Sequence, residues 1–514
     1  MSHDESYLYD EPYDVVLGRN TDLWIKRVLI YLILYSLVLG TSSRMPFMLS
    51  LTSTESARLV VGTLVTAEAA IIAVVVSLSL MGATLVAASY SSRAIELFKN
   101  YPDFWIIMAI YIYSICYGLC VLKMITDEDD SSIDGSITAA IQLGMFALIA
   151  IALYIYSVVD LLNPSKIVQI LSQKIEVDSV LSSKRLGDKD DPFQPIIDIA
   201  ISSMNKYDEG TLADVLDAIG SRKKTLFYNG SRHEKEIGSR LFEHLLELGK
   251  LAAERKDEYA ANLVIDEIAQ IGVYVAENQI KTSADEAAKT LGLMGEKAVE
   301  NRLERAAIKT AVSLGIMGEM AAQNKLDEAA SLAARSIMLM GERAAENKLE
   351  KAADQVAISI GQVGIKAAEN RLERATYQVA YSLGVVGEKA ADNELKWTPF
   401  LAAKYLGLIG GKSADSGLDE TVDLAAYSLG LVGEKAAENG LDEAAGQAAY
   451  SLGLVGVKAA ENELPEAIGE AIKSLGLVGV KAAQNKLKAV ANQVSKSLGL
   501  INERAAENYF DDVS

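Results

Sequence analysis

Apolar positions along this chain follow two different rules, and the change comes near residue 165. In the N-terminal part, four apolar and sparsely charged runs, approximately 23–40, 59–89, 104–122 and 137–162, alternate with polar segments. A helix needs roughly 20 apolar residues to cross a bilayer core, where every backbone polar group must be satisfied within the protein. These runs therefore predict four transmembrane helices. From about residue 238 onward, short groups of Ala, Leu and Val recur at helical spacing between regular polar breaks, which predicts amphipathic helices in water. The expected fold is all-α: a four-helix transmembrane block followed by a cytoplasmic α-solenoid of 23-residue helix-pair repeats. The expected division is an acidic N-terminal tail at 1–22, a transmembrane domain at 23–163, a helical connector at 164–237 and the solenoid at 238–514.

The repeat is marked by glycine. Gly249, Gly272, Gly295, Gly318, Gly341, Gly364, Gly387, Gly410, Gly433, Gly456 and Gly479 are each 23 residues apart, and the next step lands on Asn502. Glycine and asparagine accept a left-handed backbone most readily, so this position reads as the cap that ends a helix in every unit. The unit from Leu441 then divides into a first helix reaching Gly456 and a short second helix from Val457 to Glu461, with acidic residues in the first turn opposing the helix dipole. One unbroken helix of about 20 residues is the alternative, and Gly456 argues against it, since an interior glycine costs about 1 kcal/mol. A second row, Gly292, Gly315, Gly361, Gly384, Gly407, Gly430, Gly453, Gly476 and Gly499, tolerates Met338 and Ala269, which suits a close helix contact. Neither short helix stands alone in water, so each unit must bury its apolar face on its neighbours.

The membrane block carries its own signals. Trp24, Lys26 and Arg27 suit the headgroup level, and the positions of Arg93, Lys99 and Lys166 place both termini on the cytoplasmic side of a multi-pass plasma-membrane protein. The acidic loop from Thr126 to Gly135 then faces outward; it lacks the ligand spacing and closing glutamate of an EF-hand. In the second run Ser79, Ala83, Ala87 and Ser91 recur every four residues, with Ser77 one face round. Such a row permits tight helix packing or lines a watery path. Glu68 is an ionisable group in the same run: a default functional candidate inside the span, or a residue of its outer edge, with Glu55 and Arg58 in the preceding turns. Tyrosines in the third and fourth runs, among them Tyr111, Tyr113, Tyr154 and Tyr156, exceed what lipid contact needs, so some should line helix interfaces or water.

Composition narrows the functional classes. A net charge of −20 argues against nucleic acid as a partner. Cys116 and Cys120 share one helical face inside an apolar run, and His3, His233 and His244 are scattered, so neither a metal site nor a cofactor is implied. The polar acidic N-terminus has no signal-peptide pattern and is expected to be retained. Nucleophile–base pairs and phosphate loops are not evident, and the repeated Glu388-Lys389 and Glu434-Lys435 doublets read as solvated surface, so catalysis is not expected.

Val75-Val76-Ser77-Leu78-Ser79-Leu80, Ala87-Ala88-Ser89-Tyr90-Ser91-Ser92-Arg93 and Ile95-Glu96-Leu97-Phe98, followed later by Asp190-Asp191-Pro192-Phe193, resemble a prokaryotic predicted-membrane-protein family called domain of unknown function twenty-two fifty-four. The chain lacks the serine-proline-glycine lead-in that accompanies the family's aspartate-proline-phenylalanine motif. The resemblance implies membrane topology and supplies no activity. The Leu-Gly-Leu-Val-Gly core of the array resembles HEAT-type helical repeats, with a shorter unit. Two functions compete. One is an oligomeric channel or transport protein with the solenoid as assembly or gating element. The other is a membrane-anchored scaffold whose solenoid recruits a cytoplasmic protein, with Trp397-Thr398-Pro399-Phe400 as candidate contacts.

Overall fold

A computed structural model describes residues 13–42, 54–89, 102–125, 134–183, 191–228 and 233–511, and every regular element among them is an α-helix. The chain divides into two compact units, Met1–Ile170 and Leu171–Ser514.

The first unit contains α1 (Tyr13–Ser42), α2 (Thr54–Ser89), α3 (Pro102–Met124) and α4 (Asp134–Leu161). Among the described residues three stretches are long and apolar enough to cross a membrane: Glu55–Leu85, Pro102–Met124 and Asp134–Asp160. The first expected span falls inside α1 and is not one of these three. α2, α3 and α4 pack on one another, and α1 lies on α3 and α4. Val75, Ile107, Tyr111, Phe146, Ala150 and Tyr154 form one buried cluster, and Val61, Val121, Ile125 and Ala140 another. Large apolar side chains such as Leu59, Leu80, Met81, Val159 and Leu37 remain exposed, a surface that water disfavours and lipid accepts.

Connector helices come next, the first of them running across the division between residues 170 and 171. α5 (Pro164–Ser172) opens on its proline, and α6 (Val177–Ser182), α7 (Gln194–Lys206), α8 (Glu209–Ser221) and α9 (Lys223–Leu226) follow. Asp191 sets the entry to α7: its Oδ1 accepts the Phe193 amide at 3.0 Å, and its Oδ2 meets His244 Nε2 at 2.9 Å, both side chains being buried. Arg222 donates to the Ile175 carbonyl at 3.1 Å.

Twelve helices then make the array: α10 (Glu234–Glu254), α11 (Glu258–Glu277), α12 (Lys281–Glu300), α13 (Glu304–Gln323), α14 (Asp327–Glu346), α15 (Glu350–Glu369), α16 (Glu373–Asp392), α17 (Trp397–Ser416), α18 (Asp419–Glu438), α19 (Asp442–Glu461), α20 (Pro465–Gln484) and α21 (Lys488–Asp511). Each packs on the next helix and on the one after it, so odd and even helices form two layers. One 23-residue unit is therefore a single helix, and the structural pair takes two units, which falls in the size range of HEAT-type repeats.

This corrects the reading of two helices per unit. Gly295, Gly318, Gly341, Gly433, Gly456 and Gly479 are not caps, and neither is Asn502; all lie inside helices. The glycines are there because alternate helices come too close for a Cβ. At Gly318 one would stand 2.6 Å from Val363 Cγ2, and at Gly341 2.5 Å from Val356 Cγ1 and 2.8 Å from Val386 Cγ2. Gly295 meets Met340 in the same way, Gly433 meets Val478 and Gly456 meets Ile501, each partner lying 45 residues further on. A Cβ at Gly479 would meet Val494 alone among the described residues, at 3.2 Å, and Asn502 is exposed. The second glycine row is a packing row as expected: Gly315, Gly384, Gly407, Gly430 and Gly453 each face a serine 44 residues ahead.

The true stops are Asn-X-Leu triplets. In Asn324-Lys325-Leu326, Lys325 is left-handed with φ 59°, its amide donates to Ala322 at 3.1 Å and the Leu326 amide to Ala321 at 2.8 Å. That pattern is a Schellman motif, and the leucine is buried beneath it. Gln279, Arg302, Lys348, Arg371, Glu394, Glu463 and Lys486 repeat the left-handed position, where only Gly417 and Gly440 are glycine among the described residues. The lysines of the Glu-Lys doublets form ion pairs between alternate helices, Lys389 to Glu346 at 2.8 Å and Lys435 to Asp392 at 3.0 Å. Exposed pairs of this kind are worth little singly.

Candidate functional site

Glu68 lies where α2, α3 and α4 converge. It is 1% exposed, about 13 residues or roughly 20 Å of helix beyond Glu55. Glycine lets the helices close around it: a Cβ on Gly144 would stand 2.8 Å from Glu68 Oε1, and one on Gly118 2.6 Å from Val65 Cγ2. Ser114 Oγ donates to Glu68 Oε1 at 2.7 Å. Tyr111, one turn earlier on the same buried face of α3, is fully buried and its hydroxyl has no hydrogen-bond partner among the described residues. A carboxyl held between apolar helices by one hydroxyl is an expensive arrangement for a purely structural purpose.

A second polar cluster sits two to three turns away on the same helices. Asp103 is fully buried; its Oδ2 accepts from Ser157 Oγ at 2.6 Å and pairs with Arg27 Nη1 at 3.1 Å, and Arg27 also reaches Ser157 at 3.1 Å. Sequence reasoning missed this cluster because Asp103 stands at the edge of the third apolar run and its partners come from α1 and α4. Between the clusters Ser79 Oγ and Tyr154 Oη share a short hydrogen bond.

The structure distributes the candidate row unevenly. Ser79 is half-buried against Tyr154 and Ala83 is half-buried, whereas Ser77 is exposed and bonds the Ala73 carbonyl of its own helix at 2.9 Å. Ala87 belongs to α2, and Ser91 lies outside the described residues, as does most of the acidic loop. Of the tyrosines, Tyr111 and Tyr154 are buried and Tyr113 and Tyr156 are exposed. Cys116 and Cys120 are free and exposed. Arg58 of α2 donates to the Ile125 carbonyl just past α3 at 2.8 Å. Among the described residues no three His, Cys, Asp or Glu side chains gather as a metal site.

The array bears a groove of 620 Å³ along α16, α18 and α20, walled by Tyr377 and Tyr427 and lined with Asp419, Glu420, Asp423, Glu466 and Glu470. Burial, then Glu470 and Glu466, pushes the Asp423 carboxyl up. In the departure from consensus at α17, Trp397 is exposed and stands edge-on to Phe400, while Thr398 is buried and donates to Asp354 at 2.6 Å.

Residues 20–201 match the family described as "Predicted membrane protein (DUF2254)". Among solved structures the chain is similar to one titled "Circular tandem repeat protein with novel repeat topology and enhanced subunit contact surfaces", at 13% identity and a TM-score of 0.36, covering 79% of this chain and 98% of that one. No curated protein matches it.

Proposed function

We propose that this is a multi-pass plasma-membrane protein of the channel or transport class, with four spans, both termini cytoplasmic, and the helical-repeat region serving homo-oligomeric assembly or gating. The observation that carries the reading is Glu68, an ionisable side chain buried among apolar helices, where function is the usual reason to retain one. The half-buried Ser79 and Ala83 add small, partly polar surface along the same helix. Purified protein in liposomes should pass ions under some combination of voltage, membrane tension and calcium. Absence of flux of every ion under all of these conditions refutes the reading.

A second reading, a membrane-anchored scaffold, is favoured by the acidic, tyrosine-walled groove of the array. A basic protein segment is the chemistry that fits it. Cross-linking from Tyr377 or Tyr427 in native membranes should then trap one stoichiometric partner, and a blank result at both positions removes this reading.

A further inference from the structure

Both buried carboxyl groups of the membrane unit meet the buried face of α3, Asp103 as part of it and Glu68 of α2 through Ser114. Asp103, Ile107, Tyr111, Ser114 and Gly118 are among the buried residues of that helix, and the 11 residues from Asp103 to Ser114 give about 16 Å of helix rise. That is about half of the roughly 30 Å apolar core of a bilayer. Tyr111 stands one turn before Ser114, which holds Glu68, and Tyr154, hydrogen-bonded to Ser79, stands one turn before Ser157, which holds Asp103. The series Glu68, Tyr111, Tyr154, Asp103 thus runs through the interior of the bundle.

Its chemistry is selective. Each member is a carboxyl or hydroxyl with an exchangeable proton, and the one hydrogen bond given to Glu68 comes from Ser114. A dehydrated metal cation takes six or so oxygens, more than gather at Glu68, whereas a proton needs only one acceptor at a time. The Tyr111 hydroxyl, buried with no hydrogen-bond partner among the described residues, has a free donor and free acceptor positions one turn from the Ser114 that holds the carboxyl. A purely structural tyrosine would be expected to have satisfied that hydroxyl.

We propose that the membrane unit carries protons along this series, a proposal that rests on the transport reading and names its cargo. A proton from one aqueous face adds to the Glu68 carboxylate. The resulting carboxyl gives its proton through transient water to the Tyr111 oxygen as Tyr111 releases its own. Tyr111 and Tyr154 belong to one buried cluster with Val75, Ala147 and Ala150, and transient water entering it carries the proton from one hydroxyl to the other. Tyr154 accepts one proton and releases one to Asp103, which passes it to the other face. Each phenol gains and loses one proton, so one H⁺ moves and no heavy-atom bond changes.

The test uses the full chain in liposomes containing a pH-sensitive dye, with a potassium diffusion potential as driving force and parallel electrodes for K⁺, Na⁺ and Cl⁻. Wild type and Thr63→Val, whose hydroxyl is exposed and bonds only its own helix, should acidify the lumen at equal rates. Glu68→Gln and Tyr111→Phe should each slow the flux at least tenfold. Tyr111→Phe deletes an oxygen with no partner, so its thermal stability and elution profile in detergent should match wild type, and a flux loss in it is not a folding defect. Proton flux that both variants leave unchanged overturns the route. Flux of another ion without protons overturns the cargo and leaves the transport reading standing. No flux of any ion overturns both.

Discussion

Replacing single glycines of the array by alanine tests the two-layer packing, because one substitution has opposite consequences at two positions of the same consensus. At Gly341 a Cβ would lie 2.5 Å from Val356 and 2.8 Å from Val386. Both partners are β-branched and buried, with one strongly preferred rotamer in a helix, so neither can swing aside. The neighbouring helices must shift, and such overpacking costs about 1–3 kcal/mol. Against this stands the gain of about 1 kcal/mol from replacing an interior helical glycine. Gly341→Ala should therefore be destabilising by up to about 2 kcal/mol. At Gly476 nothing lies within 4 Å of the added carbon. There the propensity gain is unopposed, and Gly476→Ala should stabilise α20 by about 0.5–1 kcal/mol.

Long repeat arrays need not melt as one unit, so hydrogen exchange of individual helices in the full-length protein in detergent is the suitable assay. Gly341→Ala should speed exchange in α14, α15 and α16, and Gly476→Ala should slow it in α20. If the two substitutions change protection with the same sign and size, the contacts 44 and 45 residues ahead do not explain the two glycine rows, and the corrected reading fails with them.

Three further outcomes follow from the same structure. Lys325→Gly relieves a left-handed side-chain-bearing residue and should stabilise its helix end by about 1 kcal/mol, whereas Gly440→Ala should cost a similar amount, both measured by local hydrogen exchange. Glu267 is buried against Gly220 near the carbonyl end of α8, and burial raises its pKa from 4.5 to about 7 in spite of Lys223. A raised folded pKa means the folded state binds the extra proton, so the contribution is full below about pH 4.5 and lost as pH rises through about 7. Glu267→Gln should remove that dependence, protecting α11 at pH 8 by up to about 3 kcal/mol; a variant whose protection still falls across this range counts against the assignment. Asp191→Ala leaves His244 buried without its carboxylate and should loosen α7 on α10 by about 1–3 kcal/mol, seen as faster exchange confined to those helices.

The array was legible in its period and count but not in its local geometry. Gly341 and its equivalents were read as caps because a glycine within a helix carries a penalty, and local reasoning moves it to an end. The term that offsets the penalty, contact with a side chain 45 residues away, is invisible in any short window. The sequence did hold the correct signal. Asn301-Arg302-Leu303, Asn324-Lys325-Leu326 and Asn370-Arg371-Leu372 recur at the 23-residue step. They were overlooked because the left-handed residue is Arg or Lys, where a Schellman turn usually shows glycine. The second glycine row was read correctly, since its tolerance of alanine and methionine already excluded a backbone requirement.

In the membrane unit the sequence shows residue types more plainly than their surroundings. An ionisable group inside an apolar run stands out whatever surrounds it, as Glu68 does, whereas Asp103 stands at the margin of a run and does not. Their partners depend on helix rotation. Ser114 and Gly118 are four apart on α3, a small-residue spacing the sequence displays, but only packing turns that face toward Glu68 and sets Gly144 opposite. The same rotation divides the tyrosines, burying Tyr111 and Tyr154 and leaving Tyr113 and Tyr156 outside. Two residues along a helix amount to about 200° of turn, so Tyr113 cannot share the interior face with Tyr111. Exchanging their fates gives a sharp contrast: Tyr113→Phe should leave proton flux and stability alike untouched, whereas Tyr111→Phe should separate them, and equal flux in the two variants would show that the interior hydroxyl is not in the path.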